Sequence, residues 1–480
     1  MKIFAPLFYI LFCCSLCFVG CADPSHAKTP SQTHYDIQAT LLPSENALLV
    51  TTEITCAAPA EGISALKLRL YAATYSEGNS AVGPAKVREA YGKVSESYGS
   101  VEIQAVESEV PVQDYDLGQD GSILTIRFGR KFKKGESIRL SITERIKLAK
   151  IKHHLGHYDG YYSLAHFYPE LCPFRDGKFF ACPLSDHGDP FSHERADFTL
   201  HLTLPAEYEC ASSAEEIGRE KQGTERHLTY TLSGARDISL VASKKLRFVS
   251  ASYDGIFIKY YYENDAHAAK TLKKIEDGLA LYSRLFGTYP YASYTVVSMP
   301  FCEAGAEHSA LSVVSNALSE LQREEVILHE TAHQWWYGKV GNDEYTYPWL
   351  DEGLAEFSVA CYYREKAGEN AYRAQINKAR EAFSIRLAIK GQDGVRFDKT
   401  LAELNEGYYD RVYCGALLLY AELAEKVGYR PLLAALLDYA CRYDGKTATP
   451  NALISSLSAS LGQDLTDFFQ TWLTAALPIE

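Results

Sequence analysis

Two histidines and two glutamates in one stretch of the chain could bind a metal ion and activate water. The sequence reads His-Glu-Thr-Ala-His at positions 329 to 333, and Glu352 follows nineteen positions after His333. Residues i and i+4 of a helix share a face, so His329 and His333 can bind one ion. Two imidazoles and a carboxylate suit zinc and leave a fourth position for water. Glu330 is placed to take a proton from the water that attacks a carbonyl.

The flanking residues predict the helices that would hold this site. Residues 323–328 favour a helix, and Trp335 and Trp336 are expected to continue it with buried side chains. Glu352 is expected early in a following helix. Glu356, one turn later, is either an acceptor for the other N–H of a ligand histidine or an exposed helix carboxylate. Because such motifs also arise by chance, a surface helix with two solvated histidines is the alternative.

The sequence around these residues resembles a known family. His-Glu-Thr-Ala-His-Gln-Trp-Trp from 329, followed by Trp-Leu-Asp-Glu-Gly-Leu-Ala from 349, is similar to the aminopeptidase N family of gluzincin metallopeptidases, which includes leukotriene hydrolase. The resemblance covers roughly residues 35 to 480 and implies one Zn²⁺ per chain. It implies an α+β fold, in which a saddle-like antiparallel β-sheet domain precedes a thermolysin-like, mainly helical catalytic domain. We expect a short member without the family's large helical C-terminal domain.

Two further positions take roles from this resemblance. The segment Ala-Gly-Ala-Glu-His from 304 partly matches the family's Gly-Ala-Met-Glu-Asn, which lies on the edge strand facing the zinc. Glu307 is therefore expected to hold the free amino group of the substrate, with His308 in place of the asparagine. A family tyrosine hydrogen-bonds the oxyanion of the tetrahedral intermediate. Tyr413 is the expected match, and Tyr409 and Tyr408 remain open as alternatives.

The expected function is zinc-dependent hydrolysis of N-terminal peptide bonds, with peptides as substrates. The sequence does not reveal the second amine-binding residue that the family takes from its N-terminal domain, so a gluzincin endopeptidase is one alternative. The other alternative is a lipoprotein that binds peptides or a protein partner on the same scaffold without turnover. The intact Glu330 argues against this last interpretation, because a binding protein needs no general base.

Residues 1–21 are typical of a targeting segment. Lys2 precedes an apolar run that is short for a membrane-spanning helix, and Gly20 and Cys21 follow it. A small residue before a cysteine resembles a bacterial lipoprotein site. The pattern predicts a lipid on Cys21 and a membrane-anchored protein of the bacterial cell envelope. Ordinary cleavage nearby, giving a secreted or periplasmic protein, and an uncleaved anchor are the alternatives. Polar residues 22–34 predict a tether.

Composition and patterning predict two domains. The net charge of −13 argues against nucleic-acid binding. Alternating apolar residues and turn signals predict a β domain over 35–245, and a catalytic domain is expected over 246–480. Apolar residues at helical spacing predict an amphipathic helix near the start of the second domain, and this helix is expected to end at Gly287. The predicted strands are Tyr35–Leu42, Ala47–Thr55, Leu66–Tyr71, Val101–Val106, Ile123–Phe128, Ile138–Ile146, Ala196–Leu204, His227–Leu232, Tyr294–Met299 and Ala310–Val314.

The cysteines of the chain, and a group of histidines within the predicted β domain, raise two further questions. Export would permit disulfides, and Cys172 and Cys182 are the close pair among the eight cysteines beyond position 21, so a bridge between them is favoured. Several histidines lie in the same region, and Cys172, Cys182, His187 and His193 have irregular, loosely ligand-like spacing. The favoured interpretation is a loop that packs against the catalytic domain, and a second metal site is the alternative. These histidines are His153, His154, His157, His166, His187 and His193.

Overall fold

A computed structural model describes residues 33–80, 82–92, 97–404 and 406–474. The predicted targeting segment with Cys21, and most of the predicted tether, lie outside these residues. Within these ranges, no helix has both the length and the apolar character that crossing a membrane requires.

The first half of the described chain consists mainly of β-strands. The predicted strands all form, because alternating apolar residues point to a common core; in β1 the residues Ile37, Ala39 and Leu41 are buried in turn. The strands are β1 (His34–Leu42), β2 (Ala47–Ala57), β3 (Ile63–Arg69), β4 (Ser100–Ser108), β5 (Val112–Leu117), β6 (Ile123–Phe132), β7 (Ser137–Lys147), β8 (Leu155–Tyr158), β9 (Tyr161–Leu164), β10 (Glu170–Leu171), β11 (Phe174–Arg175), β12 (Lys178–Phe179), β13 (Ala196–Pro205), β14 (Glu209–Ser212), β15 (Glu215–Gln222), β16 (Glu225–Ala235) and β17 (Leu240–Ser243), with α1 at Val87–Tyr91.

These strands form two four-stranded sheets, a short β11–β12 pair and one seven-stranded sheet with the order β15-β16-β13-β1-β2-β7-β4. Neighbours in the large sheet are antiparallel with one exception. Strands β1 and β13 run parallel, with His34 opposite Asp197 and Thr40 opposite Thr203. The prediction of an antiparallel sheet therefore holds for every pair of this sheet except the one that joins its two halves.

The second half begins with a mixed five-stranded sheet and continues as helices. The sheet has the order β18-β19-β20-β22-β21, so β21 lies at its edge. The predicted helical stripe is buried along α2, and Gly287 ends that helix at a φ of 88°. The α+β class is confirmed. The elements are β18 (Arg247–Tyr253), β19 (Ile256–Tyr262), α2 (Ala268–Phe286), β20 (Ser293–Met299), β21 (Gly305–His308), β22 (Leu311–Ser315), α3 (Glu320–Ala332), α4 (Trp349–Ala367), α5 (Glu369–Lys390), α6 (Ala416–Val427), α7 (Tyr429–Arg442), α8 (Pro450–Leu461) and α9 (Thr466–Leu473).

The helix that carries the two histidines ends earlier than predicted. Helix α3 begins with a capping box and ends at Ala332, and the backbone leaves helical geometry at Trp336 (φ −101°, ψ 54°). Both tryptophans are buried as expected and lie in a π-helical turn over Gln334–Lys339, in which Trp335 keeps helical backbone angles and Trp336 does not. Their indole N–H groups donate in different directions, Trp335 to the carbonyl of Gly287 and Trp336 to Oγ of Ser358. The helical backbone must break for both buried indole N–H groups to find acceptors. Helix propensity does not predict this break.

The expected disulfide is absent, and that prediction is wrong. Cys172 and Cys182 are both free and buried. The backbone N–H of Cys172 donates to the carbonyl of Lys67 beside β3, and the thiol of Cys182 donates to the carbonyl of Pro190. Closeness in sequence does not determine the direction of the two Cβ–Sγ bonds, and a disulfide requires those directions to converge.

Candidate active site

Helices α3 and α4 bring His329, His333 and Glu352 together. The Nε2 atoms of the two histidines lie 3.0 Å apart, and Glu352 Oε2 lies 3.0 Å from His329 Nε2 and 3.3 Å from His333 Nε2. A tetrahedral zinc ion with bonds of about 2.0 Å keeps its ligand atoms roughly 3.3 Å apart, so this spacing and donor set fit zinc. Burial acts to raise the pKa of Glu352, but the two imidazoles lower it overall, which favours the ionised ligand.

The second nitrogen of each of these histidines is also held. His329 Nδ1 lies 3.0 Å from Glu356 Oε1, one turn after Glu352 on α4. His333 Nδ1 lies 3.1 Å from the carbonyl oxygen of Trp336. That carbonyl faces the ring because the backbone breaks at Trp336. Such contacts fix the orientation of a metal-binding imidazole.

Glu330 lies against the edge strand. A Cβ atom at Gly305 on β21 would stand 2.3 Å from Glu330 Oε1, so only a glycine leaves room for this carboxyl group. Burial raises the pKa of Glu330 to about 7. Its Oε2 atom has no hydrogen-bond partner among the described residues and can accept a proton. A carboxylate with a pKa near neutrality suits a general base.

Glu307 projects from the same edge strand into the site. One carboxylate oxygen each of Glu307 and Glu330 and one ring nitrogen of His333 lie within 4.8 Å of one another. Glu307 is 6 % exposed, and this burial raises its pKa well above the ordinary value. The structure therefore brings together the predicted amine anchor, the predicted base and a predicted zinc ligand.

The structure separates the three candidate tyrosines. The hydroxyl of Tyr413 donates to Oε1 of Glu352, and its ring stacks on His329 with centroids 5.7 Å apart. Tyr408 and Tyr409 also line the cavity, but Tyr409 is 52 % exposed. This geometry favours Tyr413 for the role beside the reacting carbonyl.

A cavity of about 780 Å³ contains these groups, and the β-sheet domain supplies part of its wall. Asp189 from that domain lines the cavity, and its Oδ1 lies 3.1 Å from Nε2 of His154. No sequence motif indicated a role for Asp189, although its Gly-Asp-Pro context is typical of a constrained turn. Gly188 has a φ of +62°, and a Cβ there would stand 2.6 Å from Cδ2 of Leu401. The turn that carries Asp189 is thus held against the helical part.

Residues 153–193, which we call the histidine-rich segment, pack as predicted. His187 Nε2 lies 2.6 Å from the carbonyl oxygen of Leu401, and Arg175 forms an ion pair with Asp343. His166, His193 and His308 are buried, and the ring of His166 stacks on His193 and lies 5.6 Å, between centroids, from the ring of His308 on β21. The segment therefore packs against the catalytic domain.

Comparisons with known proteins agree with this architecture. Mouse aminopeptidase B is 29 % identical over 180 residues, which are 34 % of this chain and 27 % of that protein. Aminopeptidase 2 of Candida albicans is 23 % identical over 314 residues, 58 % of this chain and 32 % of that protein. The chain thus matches about a quarter to a third of the length of these curated relatives.

Solved structures show the same fold over nearly the whole chain. An M1 zinc metallopeptidase of Deinococcus radiodurans, a mutant bound to a Tyr-Ser-Ala substrate, superposes with a TM-score of 0.68 at 20 % identity, covering 94 % of this chain and 96 % of that one. Residues 271–472 match the model of the peptidase family M1 domain. The predicted zinc ligands and the edge strand both lie within this matched part of the chain, which is therefore similar to peptidase family M1, the aminopeptidase N family of gluzincin metallopeptidases.

Proposed function

We propose that this chain is a zinc-dependent aminopeptidase that cleaves N-terminal peptide bonds of peptides outside the cytoplasm. One observation carries the proposal: the buried carboxyl group of Glu307 lies within 4.8 Å of the Glu330 carboxylate and the His333 ring nitrogen. The ammonium group of a substrate bound at Glu307 would lie close to the proposed base, Glu330. Only one residue, the N-terminal one, then fits between this ammonium group and the carbonyl that is attacked. This is the geometry of an exopeptidase.

The residues of the chain divide the chemistry among them. Zinc held by His329, His333 and Glu352 would polarise the scissile carbonyl and lower the pKa of water. Glu330 takes the proton of the attacking water and passes it to the leaving amine. The hydroxyl of Tyr413, which contacts Glu352 in this structure, is close enough to the metal ligands to donate to the oxyanion instead.

The cavity wall favours a cationic substrate group. Burial raises the pKa of Glu307, and the carboxylate of Asp189 adds to that rise. A substrate ammonium would offset this crowding of negative charge, and Asp189 is the β-sheet-domain residue that we assign as its second partner. The Deinococcus radiodurans relative with a bound Tyr-Ser-Ala substrate supports a peptide as the substrate class.

The test compares peptide reporters with a free and an N-acetylated amino group. We expect wild type to prefer the free amine. Glu307→Gln should lower kcat/KM on the free-amine reporter by about 30- to 1,000-fold, equivalent to about 2–4 kcal/mol for a lost enclosed charge pair. The blocked reporter never makes this contact, so its slow cleavage should not change.

The matched control is Glu303→Gln, which removes a carboxylate that lines the same cavity but pairs with Lys86. It should leave the ratio of the two rates unchanged. Equal cleavage of free and blocked reporters by wild type would reject the aminopeptidase proposal and favour an endopeptidase. Full zinc occupancy without cleavage of either reporter would favour a peptide-binding protein.

The proposal includes export and lipid attachment at Cys21, which the apolar run and Gly20-Cys21 support. Detergent phase partitioning of wild type and Cys21→Ser from a bacterial host is the test. We expect wild type in the detergent phase and the variant in the aqueous phase. The same aqueous partitioning of both proteins would reject the lipid anchor and favour a secreted or periplasmic protein.

A further inference from the structure

A second group of buried histidines and carboxylates lies where the β-sheet domain meets the catalytic domain. His166, Glu170 and His193 come from the histidine-rich segment, and Asp237 lies shortly before β17. His308 ends strand β21, where its side chain alternates with that of Glu307 and therefore points away from the active site. None of the five residues is more than 6 % exposed. We call them the interdomain cluster.

Carboxylates hold the imidazoles of this cluster in place. Glu170 Oε1 lies 3.0 Å from His166 Nδ1, and Glu170 Oε2 lies 2.9 Å from His193 Nδ1. The two rings are stacked, with centroids 5.1 Å apart and planes 10° from parallel. His308 Nδ1 lies 3.1 Å from Asp237 Oδ2. One nitrogen each of His166 and His308 and one oxygen of Asp237 lie within 4.8 Å of one another.

Two buried nitrogen atoms of the cluster have neither a hydrogen bond nor an ion-pair contact among the described residues, whereas His308 Nδ1 has its contact with Asp237. Nε2 of His166 and Nε2 of His193 make no hydrogen bond to any part of the chain that the structure describes, although both are buried. Buried polar atoms are nearly always paired, so each such atom indicates a missing partner. In His166, the Nδ1 atom already contacts Glu170. The Nε2 atom of His166 can therefore donate its electron pair to a metal ion.

Two carboxyl groups, those of Glu170 and Asp237, lie in this buried cluster. Among the described ion pairs, those of Glu170 and Asp237 are with histidines only. Arg236 donates instead to the backbone carbonyls of Tyr337, His193 and Lys446.

We propose that the interdomain cluster binds a second divalent transition-metal ion through His166 Nε2, His308 and Asp237. Imidazole and carboxylate donors suit zinc among these ions. Glu170 would orient His166 from behind, as carboxylates do for metal-binding histidines. The ligands come from both domains, so the ion would join the β-sheet domain to the catalytic sheet. Sequence spacing predicted one zinc per chain, and the folded geometry adds this second site.

A metal-free network is the competing explanation. Asp237 also accepts hydrogen bonds from Tyr337 and the Ser309 N–H at Oδ1 and from Ser239 at Oδ2. In that case His308 Nδ1 would donate a hydrogen bond to Asp237, and a water molecule would be the partner of His166 Nε2. The two explanations differ in metal stoichiometry, which does not depend on peptidase activity.

The experiment measures bound zinc after the purified chain is stripped with a chelator, reloaded with Zn²⁺ and desalted. We expect two equivalents in wild type. His329→Ala/His333→Ala should keep one, and His166→Gln/His308→Gln should also keep one. Co²⁺ loading of the two double variants should give two different absorption spectra. The control His157→Gln changes a histidine of the same segment outside the cluster and should keep two equivalents.

A second readout concerns stability. In His329→Ala/His333→Ala the retained ion would be that of the interdomain cluster, so a chelator should lower the Tm of this inactive variant. One equivalent of zinc in wild type, or two in His166→Gln/His308→Gln, would overturn the proposal. If His166→Gln/His308→Gln does not fold, wild type and the His329→Ala/His333→Ala variant decide between the explanations. None of these results depends on whether peptides are cleaved.

Discussion

Glu356 Oε1 lies 3.0 Å from Nδ1 of His329, one turn along α4 from Glu352. Residues i and i+4 share a helix face, so one face of α4 supplies both a proposed zinc ligand, Glu352, and the support for another, His329. A rotation of α4 would disturb two contacts of the metal site at once. The same helix is buried over most of its length, and that packing opposes such a rotation.

Glu356→Ala should weaken zinc binding without removing a ligand. The imidazole of His329 would lose its orienting partner, and contacts of this kind are worth about 10- to 100-fold in metal affinity. Competition with a chromogenic chelator measures the change in Kd. Glu365→Ala on the same helix, where the carboxylate pairs with Arg430, is the control and should bind zinc as wild type does. An unchanged Kd in Glu356→Ala would show that packing alone orients His329.

Gly305→Ala should impair catalysis while zinc stays bound. The added methyl group would meet Glu330 Oε1 at 2.3 Å and Val326 Cγ1 at 2.7 Å, so the base must move. A displacement of about 1 Å at a reacting group can cost about 100-fold in rate. Kinetics and zinc content of the purified variant test this expectation.

Two variants bracket that result. Glu330→Gln removes the base and should lower kcat by about 10²- to 10⁴-fold with zinc retained. Gly218→Ala, where a Cβ makes only ordinary contact with Thr229, should have no effect. Wild-type activity in Gly305→Ala would mean that β21 yields to the methyl group, and wild-type activity in Glu330→Gln with zinc bound would remove its assigned role.

Tyr413→Phe should lower kcat by about 10²- to 10³-fold, the range found when one oxyanion donor is lost. The phenyl ring still stacks on His329, so the substitution removes only the hydroxyl. Tyr409→Phe is the matched control, because Tyr409 stacks on Tyr413 but is half exposed. A larger loss of kcat in Tyr408→Phe than in Tyr413→Phe would transfer the role to Tyr408, which also lines the cavity.

Glu144 should make the β-sheet domain less stable as pH rises. This residue of β7 is buried in the core face of the large sheet, and burial raises its pKa from 4.5 to about 8. Between these values the folded state keeps a proton that the unfolded state has lost. The free energy of unfolding should therefore fall by about 1.4 kcal/mol per pH unit across this window.

Glu144→Gln should remove this pH dependence and raise Tm relative to wild type at pH 8, with a smaller difference at pH 5. Thermal unfolding across the pH range measures the effect. Glu53→Gln on β2 is the control, since Glu53 lies on the exposed face of the same sheet. Parallel Tm curves for wild type and Glu144→Gln would show that Glu144 is ionised in the fold.

Local patterns in the sequence were enough to predict ten of the 22 described strands and the three residues proposed to bind zinc. Two short-range patterns show which side chains share a face. One is the alternation of apolar and polar residues in β1 and β2, and the other is the i, i+4 spacing of His329 and His333. The edge position of Glu307 came from resemblance and agrees with the structure. Its burial could not be predicted, because the wall that covers it comes from another part of the chain.

The features that sequence analysis missed depend on long-range contacts. Asp189 reaches the cavity because Gly188 packs against Leu401. His166 and His308 meet only after two domains dock, so their spacing in sequence carries no ligand pattern. The break at Trp336 results from two indole donors with different partners. In each case tertiary packing decides a conformation that local propensity leaves open.

The parallel pairing of β1 with β13 has a consequence for the time course of folding. β1 can form its hairpin with β2 as soon as both strands are made, but its other edge stays open until residues near 197–203 are available. Pairing over such a long sequence separation is slow, because much chain entropy is lost before the contacts form. The sheet would therefore close late in synthesis, and this delay is compatible with the proposed export, because the first half of the chain would stay without its complete sheet while it emerges.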